Sequence, residues 1–327
     1  MDICLCKRSI LRAMENPLRQ YPPLMKLLTV AFVALASFGV FLIIGLLTGS
    51  VFFGVGMDEY NQAMQQAGTY PGYMKYMQAM YSIGIFVVPA FILGRLFIAG
   101  PGDKLGLHTS RLPYGTTVIL AIILVVAAMP FINILASWNA SLNLPDSMQS
   151  IEQWMREMEN QAMGLTENLL SGTTLTALLV NLLVVALIPA VGEEFLFRGI
   201  VQPVFFQMTR SPHAAVWLAA LLFSFLHFQF FGFLPRLILG VMFGYLLVWS
   251  KTIWVPVIAH FANNGLAVIF YYLYNQGAVG SELERVGTQN YQVIYLLGSA
   301  LMLAAVMAAI FHSERILRSQ EQHARKS

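Results

Sequence analysis

Apolar runs of about 20 residues, the length a helix needs to cross a bilayer, recur along this chain so often that a membrane must be its solvent. Eight are read, at 27–49, 78–98, 115–136, 173–190, 213–231, 234–250, 252–274 and 291–311, the fourth continuing as an amphipathic tail to about residue 206. Only 11% of the 327 residues are charged and 57% are hydrophobic, which excludes a soluble globular enzyme. The fold class expected is all-α, a polytopic integral membrane bundle of about eight helices. A net charge of +3 offers no basic footprint for nucleic acid. The two cysteines, Cys4 and Cys6, both precede the first span and build neither a disulfide framework nor a zinc site.

Loop charges orient the bundle. Lys7, Arg8, Arg12, Arg19, Lys26, Lys104, Arg111, Arg210, Lys251, Arg315, Arg318, Arg325 and Lys326 fall on one side, and Lys75, Arg156, Arg236 and Arg285 on the other. The 13 to 4 split places both termini in the cytoplasm, with an even number of spans. Mixed charge ahead of the first span and the lack of a small-residue cleavage site argue that this span is retained. Between spans three and four, the segment 138–172 carries Ile151, Trp154, Met155, Met158, Met163 and Leu165 among Glu and Gln. It is read as an outer interfacial helix, with a lid over a substrate entrance as the functional alternative.

The chemistry lies in polar residues that apolar spans should exclude, since a charge at mid-bilayer costs about 2.5 to 3.5 kcal/mol and by default faces a site inside the bundle. The fourth span carries Glu193, Glu194 and Arg198. Glu194 and Arg198, four apart, share a helical face and can pair. Glu193 is turned away by about 100° and is free to act as a base. Phe223 and His227 form an i, i+4 pair on the fifth span, and His260 and Asn264 another on the seventh, while Asn263 points elsewhere. Each pair alone could serve helix packing. Together they supply a carboxylate, two imidazoles, an amide and a guanidinium, an inventory that suits hydrolysis. The carboxylate and a His can deprotonate water or, with the second His, hold a divalent metal, and a His with an Asn can donate to an oxyanion. Counting along the helices puts Glu193 and His260 at similar depth and His227 deeper, so convergence requires a tilt or break in the fifth span. Gly240 and Gly244 on the sixth span read as a close-packing face, and Arg95 as a packing or snorkelling residue.

The ordered motifs Glu193-Glu194-x-x-x-Arg198, Phe223-x-x-x-His227 and His260-x-x-x-Asn264 resemble the CAAX prenyl protease and bacteriocin-processing (CPBP, or Abi) family of intramembrane proteases, over about residues 175–270. That resemblance implies a helical domain around a conical cavity open to the cytosol. It assigns water activation to Glu193, with His227 sharing that role or binding a metal. His260 and Asn264 would stabilise the oxyanion, and Glu194, Arg198 and Phe223 would support the site. A zinc ion on Glu193, His227 and His260 and a metal-free mechanism both remain open. The implied partners are a peptide or membrane-protein substrate and the lipid bilayer. The organisation expected is a cytoplasmic tail 1–26, membrane helices with the outer segment 27–174, a protease core 175–274, and a last helix with a basic cytoplasmic tail 275–327. Short tails and no organelle signal suggest a prokaryotic plasma membrane. The competing class is a proton-coupled transporter or a non-catalytic scaffold retaining the motif, since buried Glu and His also build proton relays. No inverted repeat supports transport.

Overall fold

The computed structural model describes residues 17–56, 70–98, 107–280 and 292–324, and over them the chain is a bundle of helices without strands. The expected tail up to residue 16, with both cysteines, and the loop charges Asp58, Glu59, Lys104, Glu282, Glu284, Arg285, Arg325 and Lys326 lie outside the described residues. The long helices are α1 (Pro23–Phe53), α2 (Pro71–Phe97), α3 (Gly115–Ala140), α4 (Gln149–Leu170), α5 (Leu175–Thr209), α6 (Pro212–Phe225), α7 (Phe233–Ser250), α8 (Trp254–Asn275) and α9 (Gln292–Ala324). Seven helices among the described residues are long and apolar enough to cross a membrane. The protein is a polytopic integral membrane bundle.

The fifth expected span departs from its sequence reading. Helix α6 has 14 residues, which at 1.5 Å each fall short of the roughly 30 Å hydrocarbon core. Its start is set by Ser211, whose hydroxyl accepts from Ala214 N at 3.3 Å, and by Pro212 in the first turn. Its end is an abrupt reversal in which Phe228 takes a positive φ of 52°. Irregular backbone at membrane depth is tolerated only where protein satisfies it. Asn139 at the end of α3 does so, donating to Phe230 O at 3.0 Å and accepting from Leu234 N at 2.9 Å. Ser224 Oγ also donates to Phe233 O at 2.6 Å.

Helix α5 is continuous over 35 residues, as its amphipathic tail suggests. It contains two wide π turns, Leu182–Leu187 and Phe197–Val201, and α2 contains one at Ile83–Val87 and one at its end, Gly94–Ile98. The first three of these end two residues before a proline, at Pro189, Pro203 and Pro89. Proline has no N–H and its ring crowds the carbonyl one turn back, and a wide turn relieves that crowding without ending the helix. In α3 the interruption at Pro130 is repaired from outside: Ser299 Oγ of α9 accepts from Phe131 N at 3.1 Å and donates to Ala127 O at 2.7 Å.

Both described ends lie on one face. There Ile253 N donates to His108 O at 3.2 Å, Trp254 Nε1 to Thr109 O at 3.3 Å, and Arg111 pairs with Glu321 at 3.4 Å. On the opposite face Lys75 Nζ donates to Ser171 O at 3.2 Å and Asn275 Nδ2 to Leu170 O at 3.2 Å. That face carries α4, the amphipathic helix expected from the segment 138–172, whose Ile151, Trp154 and Met163 are exposed. Arg95, near the end of α2, is exposed in keeping with its snorkelling reading.

Candidate active site

The two wide turns of α5 bracket the segment Ile188–Leu196 that bears the two glutamates. Glu194 is fully buried, and its Oε1 accepts from Arg198 Nη1 at 2.8 Å, the pair expected from the i, i+4 spacing. Arg198 is 1% exposed. Its second amino group donates to Gly240 O at 3.0 Å, and the aromatic rings of Phe223 and Phe243 lie 4.9 and 5.7 Å from its guanidinium carbon. The close-packing reading of Gly240 and Gly244 holds, because a Cβ at either position would lie 3.0 Å from Ala220 Cβ or 2.8 Å from Val216 Cγ1. The same approach exposes two carbonyls to α5, and Gln202 Nε2 takes the second, Gly244 O, at 3.3 Å.

His260 on α8 joins the two carboxylates. Its Nδ1 bonds Glu194 Oε1 at 2.8 Å, and its Nε2 lies 3.8 Å from Glu193 Oε2. Its ring stacks on Phe243 at 5.2 Å between centroids. A carboxylate oxygen accepts, so Nδ1 is the donor and Nε2 is the atom turned toward Glu193. His227 sits in the reversal after α6, off the helix. Its Nδ1 bonds Phe223 O at 2.7 Å, and because a carbonyl only accepts, the neutral ring presents Nε2 as an acceptor. The Phe223 ring touches both imidazoles, at 4.7 Å from His227 and 6.3 Å from His260. The break in the fifth span that convergence requires is therefore present. Asn264 Nδ2 donates to Val185 O, in the first wide turn of α5, at 3.4 Å, and its side-chain oxygen accepts from Asn263 at 3.1 Å. Asn263 does not simply point elsewhere, since it orients Asn264.

Residues 175–266 match the family described as type II CAAX prenyl endopeptidase Rce1-like. That stretch is similar to the CAAX protease family. The match spans all three motifs and under a third of the chain. An uncharacterized protein of Bacillus subtilis, YpbD, is 29% identical over 85 residues, 25% of this chain and 40% of that protein. The chain thus spans less than half of the curated relative it matches. No solved structure matches.

Among the described residues no three His, Cys, Asp or Glu side chains come together at metal-holding spacing. Glu193 and His260 approach one another, His227 stands across the Phe223 ring, and as placed they form no three-ligand zinc site.

Arg236 went unnoticed in the sequence, where it counted as an outer-loop charge. It lies in the first turn of α7, donates to Gln229 O at 3.1 Å and to the Gln229 side-chain oxygen, and is within electrostatic range of Glu193 and Glu159. It ties down the reversal two residues after His227. Its only sequence signal is an arginine close to the start of an apolar run.

Proposed function

We propose that the protein is a membrane-embedded endopeptidase in which Glu193 activates the attacking water. The observation that carries this reading is the arrangement of the paired glutamates around His260: one carboxylate is bound to Arg198 and fixes the imidazole, and the other stands free beside Nε2. Glu193, Glu194 and Arg198 sum to one negative charge, so one proton shared between Glu193 and His260 leaves the cluster neutral. A cluster that is neutral with one mobile proton is suited to taking a proton and returning it inside an apolar bundle.

In the forward step Glu193 removes a proton from water as the water oxygen attacks the scissile carbonyl carbon, while His227 Nε2 accepts the water's second hydrogen and aims it. The carbonyl electrons move to oxygen, and Asn264 Nδ2–H and a protonated His260 Nε2–H donate to that oxyanion. Collapse expels the amine, which takes the proton back from Glu193. One carboxyl end and one amine end leave, and the site is restored. Glu194, Arg198 and Phe223 set the positions of the two imidazoles.

The test is turnover of a membrane-associated peptide library by purified protein in liposomes. Glu193→Gln keeps the shape of the side chain and removes the base, and turnover falls by about 10² to 10⁴ with folding retained. Undiminished cleavage by this variant removes the role given to Glu193.

A further inference from the structure

On the face that carries both described chain ends, the end of α5, the start of α6 and the end of α7 enclose a cavity of about 310 Å³. The volume is at the small end of the range for ligand sites. Apolar walls come from Phe206 of α5, Ala215 of α6 and Leu247 of α7, and the polar groups are His108, Gln202 and Lys251. Phe206 is also exposed, so the apolar wall runs out to the lipid-facing surface of the bundle. None of the motif residues lines this cavity.

The polar groups lack what an anionic ligand would bring. Lys251 caps α7 with a φ of 55°, its N–H donating to Leu247 O at 2.9 Å. Among the described residues no carboxylate pairs with its ammonium. Partial burial, and then the like charge of Arg318, hold its pKa below the ordinary lysine value. An anion at this position relieves both effects. His108 is held across from it, because its carbonyl accepts from Ile253 N, two residues after Lys251, at 3.2 Å. Deeper in, Gln202 is 6% exposed. Its Nε2 donates to Gly244 O at 3.3 Å, while its Oε1 is buried with no partner among the described residues. Buried polar atoms are nearly always paired, and this one calls for a donor.

We propose that this cavity binds a lysophospholipid from the adjoining leaflet, with its phosphate beside Lys251 and His108, its free glycerol hydroxyl donating to Gln202 Oε1, and its single acyl chain leaving along Phe206. Basic pockets between helix ends at the membrane surface are suited to lipid phosphates. Apolar walls that open to the bilayer favour a lipid over free phosphate, which has no use for them. A diacyl lipid has esterified the hydroxyl that would reach Gln202, and the small volume suits one chain. The loop charges assign this leaflet to the cytoplasm. The site is separate from the Glu193–His260 pair, and the proposal does not depend on the peptidase reading.

The experiment titrates the full chain, in an uncharged detergent, with 1-oleoyl lysophosphatidic acid and counts bound lipid by native mass spectrometry. One molecule binds. Its 2-deoxy form and the diacyl phosphatidic acid each bind about fivefold more weakly or worse, the loss of one hydrogen bond. Lys251→Asn, which keeps a residue that accepts the left-handed conformation, weakens binding about fivefold, and Lys251→Arg restores it. Arg315→Asn, at an exposed position of α9 outside the cavity, leaves binding unchanged. Three results overturn the proposal: equal losses in Lys251→Asn and Arg315→Asn, which mean diffuse attraction only; displacement of the lipid by an equal concentration of inorganic phosphate, which means a free-phosphate site; and a deoxy or diacyl form bound as tightly as the parent. The comparison of lipids needs no variant, so it decides the matter even if Lys251→Asn fails to fold.

Discussion

Removing Arg198 separates its structural work from the chemistry beside it. Arg198→Met takes from Glu194 Oε1 its charged partner at 2.8 Å and leaves it only the His260 Nδ1–H, in a place where the other carboxylate oxygen has no partner, and strips the donor from Gly240 O. An uncompensated buried charge costs about 3–5 kcal/mol, and an orphaned buried carbonyl adds about 1–3 kcal/mol. The single variant should therefore lose roughly 4 kcal/mol or more of stability, less whatever is recovered when Glu194 takes up a proton. Glu194→Leu alone leaves Arg198 as the unpaired buried charge and costs a similar amount. In Glu194→Leu/Arg198→Met neither member of the ion pair is stranded, and although His260 Nδ1 loses its acceptor as it does in Glu194→Leu alone, the loss should be at least about 2 kcal/mol smaller than the sum of the singles. Glu193→Gln, whose side chain is 12% exposed and whose approach to His260 is 3.8 Å, should by contrast change stability by about 1 kcal/mol or less. Equilibrium unfolding in mixed detergent–SDS micelles measures all four proteins. Additivity within about 0.5 kcal/mol, or an Arg198→Met protein as stable as the parent, would refute the argument.

Gly244→Ala should lower stability by about 1–3 kcal/mol through overpacking, because its Cβ meets Val216 Cγ1 at 2.8 Å; Val216→Ala in the same protein should restore most of the loss, and no effect of either change would contradict the packing. Exhaustive metal removal should leave peptide turnover unchanged, since the expected ligands do not gather into a three-ligand site; turnover lost to a chelator and restored by zinc would require another arrangement of His227. At the start of α4, Arg156 and then Leu144 N–H hold the Glu152 carboxyl below its ordinary value near 4.5. A depressed folded value means the contribution is present above the unfolded pKa and is lost as pH falls through the folded one. Hydrogen exchange at the start of α4 should accordingly rise on acidification below about pH 4.5 and stay flat in Glu152→Gln.

The spans and the i, i+4 pair Glu194–Arg198 were legible because they are local: apolar length and helical period act between residues a turn or two apart. Phe223 and His227 also meet as their spacing suggests, yet the helix they were read on ends between them, at Phe225. Nothing in the run 213–231 announces that end, which is held by Asn139 from some 90 residues away in sequence. The bond from His260 to Glu194 and the position of Arg236 were likewise hidden, since each depends on how separate helices rotate and on which face they turn to one another. The sequence by itself determined that this is a helical membrane protein with three polar pairs facing inward, because burying such groups in lipid is too costly for any other placement. Only the tertiary structure decided which carboxylate holds the Nδ1 of His260 and where the fifth span ends, because those follow from long-range contacts that helical periodicity does not encode.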